Sequence, residues 1–281
     1  MKVSLTFAII ILTCLMLTDG CGNKPAEPNK GAEVPVVQAA ADTKTITRPT
    51  LAQLQEKYKN VKAKAWAEDV PGVVKVVPNA PNMVFLTFDA CGEGRGNQCD
   101  TKLLTFLEQE KVPATLFINS RWLEKNKNML TKLAHNELFS IQNHGTKHCP
   151  LTITGRAVYK IKGTVGVQGV YEEIMGEDAK LSALTGKQPR LFRSGTAYYD
   201  DVAVQIAKDL GYTIIGFDIL GDAGATYSAA QIERVAQKAK SGSIIIYHMN
   251  QPQSGTCAGI KLVVKDLRAK GFTFGKIEDY L

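Results

Sequence analysis

From residue 83 onward the chain alternates short, nearly continuous apolar runs with amphipathic segments, and this alternation restricts the fold more than any other feature. The runs are "MVFLTF", "ATLFIN", "LFSIQNH", "RLFRSG", "YTIIGFDIL", "SIIIYH" and a closing "FTFGKI". Between them lie "DTKLLTFLEQEK", "NKNMLTKLAHN", "GVYEEIMGEDAKLSALTGK", "DDVAVQIAKDLG", "SAAQIERVAQKAK" and "AGIKLVVKDLRAKG", each with an apolar stripe at helical spacing. Strands with no polar alternate face need cover on both sides, which helices supply in a parallel sheet. Right-handed crossovers then leave an open doubly wound sheet or a closed barrel.

In either architecture the carboxyl ends of the strands converge on one face, where substrates bind. Asp89, His144, Arg193, Asp218 or Asp222, and His248 all fall at or just after such ends, and three of the four histidines are among the polar residues of these positions or their loops. "NHGTKH" is the sharpest signal. His144 and His148 stand four apart, so a single turn can aim both imidazoles at one cation, with Zn–N distances of about 2.0 to 2.1 Å. His135, in "LTKLAHN", has no such partner and reads as a surface residue at a helix end. "GTVGVQG" at 163–169 lacks the Gly-Lys-Ser/Thr ending of a phosphate loop and reads as a flexible loop lining the cleft.

Composition places the rest of the chain. With 281 residues, 44% hydrophobic and 22% charged, disorder of the whole chain is excluded. Residues 1–21 hold Lys2, an apolar stretch from Val3 to Leu17 and then Gly20 and Cys21, the pattern of an export signal, with Cys21 either lipid-modified or removed. The stretch is shorter than the roughly 20 residues that span a bilayer. Residues 22–65 read as a Pro-, Ala- and Lys-rich tether followed by a short charged helix at 51–64, and residues 66–281 as the main domain. Cys91, Cys99, Cys149 and Cys257 form an even set in an exported chain, which suggests two disulfides or, failing that, free thiols. None has C-x-x-C spacing, which argues against a cysteine metal site, and Cys91, two residues past Asp89 where the strand has ended, reads as structural first and as a metal ligand second. The net charge of +7 suits an anionic wall polymer or a membrane surface, and no basic stripe with interleaved aromatics points to nucleic acid.

The order of these signals resembles the polysaccharide deacetylase family, the NodB-like carbohydrate esterases, over roughly residues 80–281. The resemblance implies a distorted (β/α) barrel of about seven parallel strands. The family's Thr-Phe-Asp-Asp motif, a general base followed by a metal ligand, reads Thr87, Phe88, Asp89, Ala90 here. Its His-Ser/Thr-x-x-His motif matches His144 and His148, with Gly145 at the hydroxyl position. Arg-x-Pro-Tyr/Trp matches only at Arg193, which would hold Asp89; the Asp-rich strand end corresponds to "FDILGDAG", with Asp222 ahead of Asp218; and Leu-x-His reads Ile246, Tyr247, His248, the general acid.

The resemblance therefore implies a hydrolase that removes N-acetyl groups from an amino-sugar polymer such as peptidoglycan. A divalent ion, zinc first and cobalt or nickel as alternatives, would be held by His144 and His148, with Asp89, Arg193, Asp222 and His248 doing the proton chemistry. Ala90 removes one ligand, which keeps open a carbohydrate-binding protein whose barrel has lost catalysis. Retention of Asp89 and His248 weighs against that alternative.

Overall fold

The computed structural model describes residues 48–92 and 94–281. The export signal, nearly all of the tether and Cys21 lie outside the described residues, within which no helix is long and apolar enough to cross a membrane.

Eleven strands alternate with eight α-helices among the described residues. The strands are β1 (Trp66–Ala67), β2 (Val73–Val74), β3 (Met83–Ala90), β4 (Ala114–Ile118), β5 (Phe139–Asn143), β6 (Leu191–Phe192), β7 (Tyr199–Asp200), β8 (Thr213–Ile215), β9 (Ile219–Leu220), β10 (Ile244–His248) and β11 (Thr273–Phe274). The helices are α1 (Leu51–Tyr58), α2 (Thr101–Gln109), α3 (Ser120–Lys125), α4 (Lys127–Ala134), α5 (Gly166–Thr185), α6 (Asp201–Asp209), α7 (Ala229–Ala236) and α8 (Thr256–Ala269). The main sheet has the order β2-β8-β6-β5-β4-β3-β10-β9, with β11 beside β3, and all its pairings are parallel. Its nine strands exceed the seven expected because "YTIIGFDIL" splits into β8 and β9 and Val73–Val74 adds one more.

That split shows why the sheet curls. Residues 216–218 alone join β8 to β9, so the two ends lie within about 15 Å at 3.8 Å per residue. Yet six ladder steps separate them, about 29 Å in a flat sheet. The sheet must bend round on itself, and it forms a half-barrel.

Strand alternation sorts the core into layers. Val84, Leu86, Phe88 and Ala90 of β3 face outward into the largest apolar cluster, with Leu103, Leu107, Ile260 and Val263 of the helices. Phe85, Phe117, Leu191, Ile215 and Ile244 point inward and close the floor of the half-barrel. A third cluster packs α1, α5 and α6 against the sheet through Leu54, Tyr58, Val170, Ile174 and Ile206. The charged helix expected at 51–64 is thus the shorter α1, packed into the body. Five of the eight described α-helices begin where a side chain takes an orphan amide. Thr50 and Ser228 form capping boxes on α1 and α7, while Asp100 and Asp200 accept from Leu103 N at 3.0 Å and Ala203 N at 2.7 Å. Each cap contributes about 1 kcal/mol.

One expectation is corrected, and of the two cysteine readings the free-thiol one holds among the described residues. Residues 166–169 of "GTVGVQG" are the first turn of α5, and residues 163–165 line a separate cavity beside Lys147 and Cys149, not the cleft described below. Cys91, Cys99, Cys149 and Cys257 are all free: Cys99 and Cys257 pack against the main apolar cluster, whereas Cys91 sits among histidines.

Candidate active site

The inward parity of the strands brings the functional side chains together. On β3, Phe85 forms the floor, Thr87 the next layer and Asp89 the layer above it, and Cys91 continues the same alternation just beyond the strand. On β10, Ile244, Ile246 and His248 rise in the same way, with His248 in register with Asp89. Arg193 is two residues beyond the floor residue Leu191.

Asp89 is 2% exposed and Arg193 is fully buried, so neither is a surface ion-pair partner. Arg193 Nη1 donates to Asp89 Oδ1 and to Thr87 Oγ1, both at 2.8 Å, while Nε and Nη2 donate to the carbonyls of Ile215 and Gly216 at 3.2 and 2.9 Å. Its guanidinium lies 4.3 Å from the centroid of the Phe117 ring. Buried charge is tolerated when paired and hydrogen-bonded on all sides, as here. Arg193 thereby fixes Asp89 Oδ1 and leaves Oδ2 facing the histidine cluster, 3.6 Å from His144 Nε2.

His144 Nδ1 lies 2.8 Å from the Arg193 carbonyl, which only accepts, so Nδ1 carries the proton and Nε2 offers its lone pair. Nε2 stands 3.7 Å from Cys91 Sγ. The His148 ring lies 5.0 Å from that of His144 at 84°, and its Nε2 is buried without a hydrogen-bond partner. One donor atom from each of Cys91, His144 and His148 lies within 4.8 Å of the others. Burial opposes a Cys91 thiolate, but the surrounding imidazoles, His148 first, outweigh it and hold the thiol well below its ordinary pKa. Two imidazoles aimed at one point, one with an orphaned nitrogen, and a thiol biased toward thiolate fit a borderline-soft divalent ion such as zinc. The structure thus places Cys91, ranked structural first and ligand second from sequence, within reach of both histidines. The available signal was its i, i+2 relation to Asp89.

Asp222, not Asp218, is the partner of His248. Its Oδ1 accepts from His248 Nδ1 at 2.8 Å, and its Oδ2 accepts from His248 N at 2.8 Å and Thr256 Oγ1 at 2.9 Å. Asp218 instead accepts from Ser243 Oγ and Ile244 N. Burial works against a charged His248, yet Asp222 and then Cys91 raise its pKa well above the ordinary histidine value. His135 caps α4 at its exposed end, as expected.

Sequence reasoning missed Glu173. From α5 its carboxylate accepts Lys147 N at 2.9 and 3.0 Å and Cys149 N at 3.2 Å, clamping the histidine loop. A Cβ at Gly145 would meet Glu173 Oε1 at 2.4 Å, which explains glycine where the resemblance leads one to expect Ser or Thr. Gly195 is needed likewise, since a Cβ there would meet His148 Cγ at 2.4 Å.

A cleft of about 730 Å³ opens above these groups, within the range of ligand sites. Asp89, Cys91, His148 and His248 line its base, and Tyr159, Phe217 and Leu220 its walls.

Fold and site together define a parallel α/β half-barrel protein of the NodB-like carbohydrate-esterase type. Residues 77–215, the segment that carries Asp89, Cys91, His144, His148 and Arg193, match the family model described as polysaccharide deacetylase. A curated relative, the uncharacterized protein YlxY of Bacillus subtilis strain 168, is 23% identical over 213 residues, 74% of this chain and 60% of that protein. The chain therefore spans less than two thirds of that relative. Among solved structures, a family 4 carbohydrate-esterase pseudoenzyme from Bacillus anthracis superposes with a TM-score of 0.62 at 21% identity, covering 75% of this chain and 69% of its own. A peptidoglycan N-acetylglucosamine deacetylase gives 0.63 at 21% identity, covering 74% and 91%. At these identities the likeness is one of fold.

Proposed function

We propose that the protein is an exported hydrolase that removes N-acetyl groups from an amino-sugar polymer of the peptidoglycan type. One observation carries this reading: a carboxylate clamped by a buried arginine and a histidine clamped by a buried carboxylate flank the Cys91, His144 and His148 cluster at one strand-end face. Amide hydrolysis needs an activated water, a counter-charge for the oxyanion and a proton for the leaving amine. A divalent ion held by Cys91, His144 and His148 supplies Lewis acidity and lowers the pKa of water when bound. Asp89 Oδ2, the oxygen not engaged by Arg193, takes the proton of the attacking water. His248, kept protonated by Asp222, gives its Nε2 proton to the departing nitrogen. Arg193 touches no substrate and acts as a positioning residue. Export rests on the N-terminal sequence, and the amino-sugar substrate on that location and on the family.

A second reading, a carbohydrate-binding protein without turnover, draws on Ala90, which cannot bind a cation. The two separate in one experiment. Metal content of the purified protein is measured, and acetate release from peptidoglycan and chitooligosaccharides is followed with and without chelator. Chelator-sensitive acetate release is expected. Bound metal and bound glycan with no acetate would favour the second reading, and a folded protein with neither metal nor acetate under any divalent ion would reject the first.

A further inference from the structure

One wall of the cleft carries an aromatic ring, Tyr159, that the chemistry above does not use and that two further rings support from behind. Tyr159 is 67% exposed, at the tip of a hairpin closed by Val158 N to Ile161 O at 3.1 Å and Ile161 N to Val158 O at 2.8 Å. Its ring packs edge-on against Tyr198, with centroids 5.9 Å apart at 88°, and Tyr198 packs on Trp66 at 5.6 Å. The Arg156 guanidinium lies 5.4 Å from the centroid of the Trp66 ring. Trp66 is tied into the fold by the β1–β7 pairing, in register with Asp200, so the rings are anchored only a few residues from Arg193.

The hairpin tip is an unfavourable place for a tyrosine. Tyr159 and Lys160 have φ of 51° and 64°, the left-handed pair of a two-residue turn in which Asn and Gly are the favoured residues. A bulky ring here incurs steric cost and gains little burial. What it gains is position: Tyr159, Ile161 and Glu68 line the same cleft as Asp89, His148 and His248. The Tyr159 hydroxyl donates to Glu68 Oε1 at 3.4 Å, which sets a carboxylate beside the ring.

We infer that Tyr159, supported by Tyr198 and Trp66, is a stacking subsite for a pyranose ring of the polymer, next to the sugar that loses its acyl group. A pyranose presents an apolar C–H face that covers an aromatic ring and a rim of hydroxyls that require acceptors. Tyr159 supplies the first and Glu68 the second. A ring already held by its neighbours loses little freedom on binding. This inference rests on reading the cleft as a polysaccharide site.

The test is calorimetric titration of the full chain with N-acetylchitohexaose and with N-acetylglucosamine alone, with acetate release assayed in parallel. Tyr159→Phe is expected to bind the hexamer like the parent protein, and Tyr159→Ala and Tyr159→Gly about tenfold more weakly. The monosaccharide, which fills only the position of the acylated sugar, should bind equally to all variants. Because glycine accepts the positive φ, Tyr159→Gly should melt at or above the parent temperature, so its weaker binding cannot be unfolding. Hexamer binding with no acetate release leaves the subsite standing and removes the deacetylation reading. Equal hexamer affinity in Tyr159→Ala, or no hexamer binding by the parent protein, overturns the subsite.

Discussion

In this chain the side chain at position 90 faces Leu86, Phe88 and the helices outside the sheet, so a carboxylate there would be buried among apolar groups. An unpaired charge in such surroundings costs several kcal/mol. Cys91 is the next residue with the parity of Asp89, and a thiol next to imidazoles can bind the ion that Ala90 cannot. Cys91→Ser is therefore expected to weaken metal binding by at least about tenfold. With Co(II) bound, the parent protein should show a thiolate-to-metal charge-transfer band that this variant lacks; a parent spectrum without the band would remove Cys91 from the ligand set. Asp89→Asn should instead keep the metal and lower kcat by about 10²- to 10⁴-fold, as expected for loss of a general base. His144→Ala should lower metal affinity more than Asp89→Asn does, by competition against a chromophoric chelator.

At the scale of an element, α5 is unusual because three acidic residues, Glu173, Glu177 and Asp178, are buried on it. Glu173 acts on the site at a distance by holding the backbone of residues 147 and 149. Glu173→Ala should loosen that loop, weaken metal binding several-fold and cost about 1–3 kcal/mol of stability by leaving buried amides unpaired. Glu173→Gln, which still accepts hydrogen bonds, should recover part of both. Glu177 has a different consequence. Burial, only partly offset by Ser120 and then Lys180, raises its pKa from 4.5 to about 8. The folded state thus holds a proton that the unfolded chain releases above 4.5, so this contribution to stability is complete below that pH and is lost as pH rises toward 8. Glu177→Gln should flatten the fall in melting temperature between pH 5 and 8, and an unchanged slope would count against a protonated Glu177.

For the molecule as a whole, the body reaches back to Arg48, before the first helix. Arg48 pairs with Asp178, with side-chain exposures of 9% and 6%, and lies 5.0 Å from the centroid of the Tyr212 ring; the Tyr212 hydroxyl also donates to Asp178. Removing one member of a buried pair strands the other, at about 3–5 kcal/mol. Arg48→Ala, or a chain starting at residue 51, should therefore lose several degrees in melting temperature, at about 2–4 °C for each kcal/mol in a domain of this size. A chain that melts like the parent would show that the body begins at α1.

Much of this was legible in the amino-acid order. Unbroken apolar runs required a sheet covered on both faces, and the parity of β3 and β10 put Asp89 and His248 on the strand-end face. The spacing of His144 and His148 marked the pair as candidate ligands of one cation. All of these follow from periodicity, a local property of the backbone. The tertiary structure decided what depends on contacts between segments distant in sequence. It turned Ala90 into the core and Cys91 toward the histidines, and it paired His248 with Asp222 in preference to Asp218. It also set Glu173 under the histidine loop and stacked Trp66 and Tyr198 behind Tyr159 at the cleft. Such contacts arise when the sheet curls, because closure brings together side chains whose separation along the chain carries no signal of their meeting.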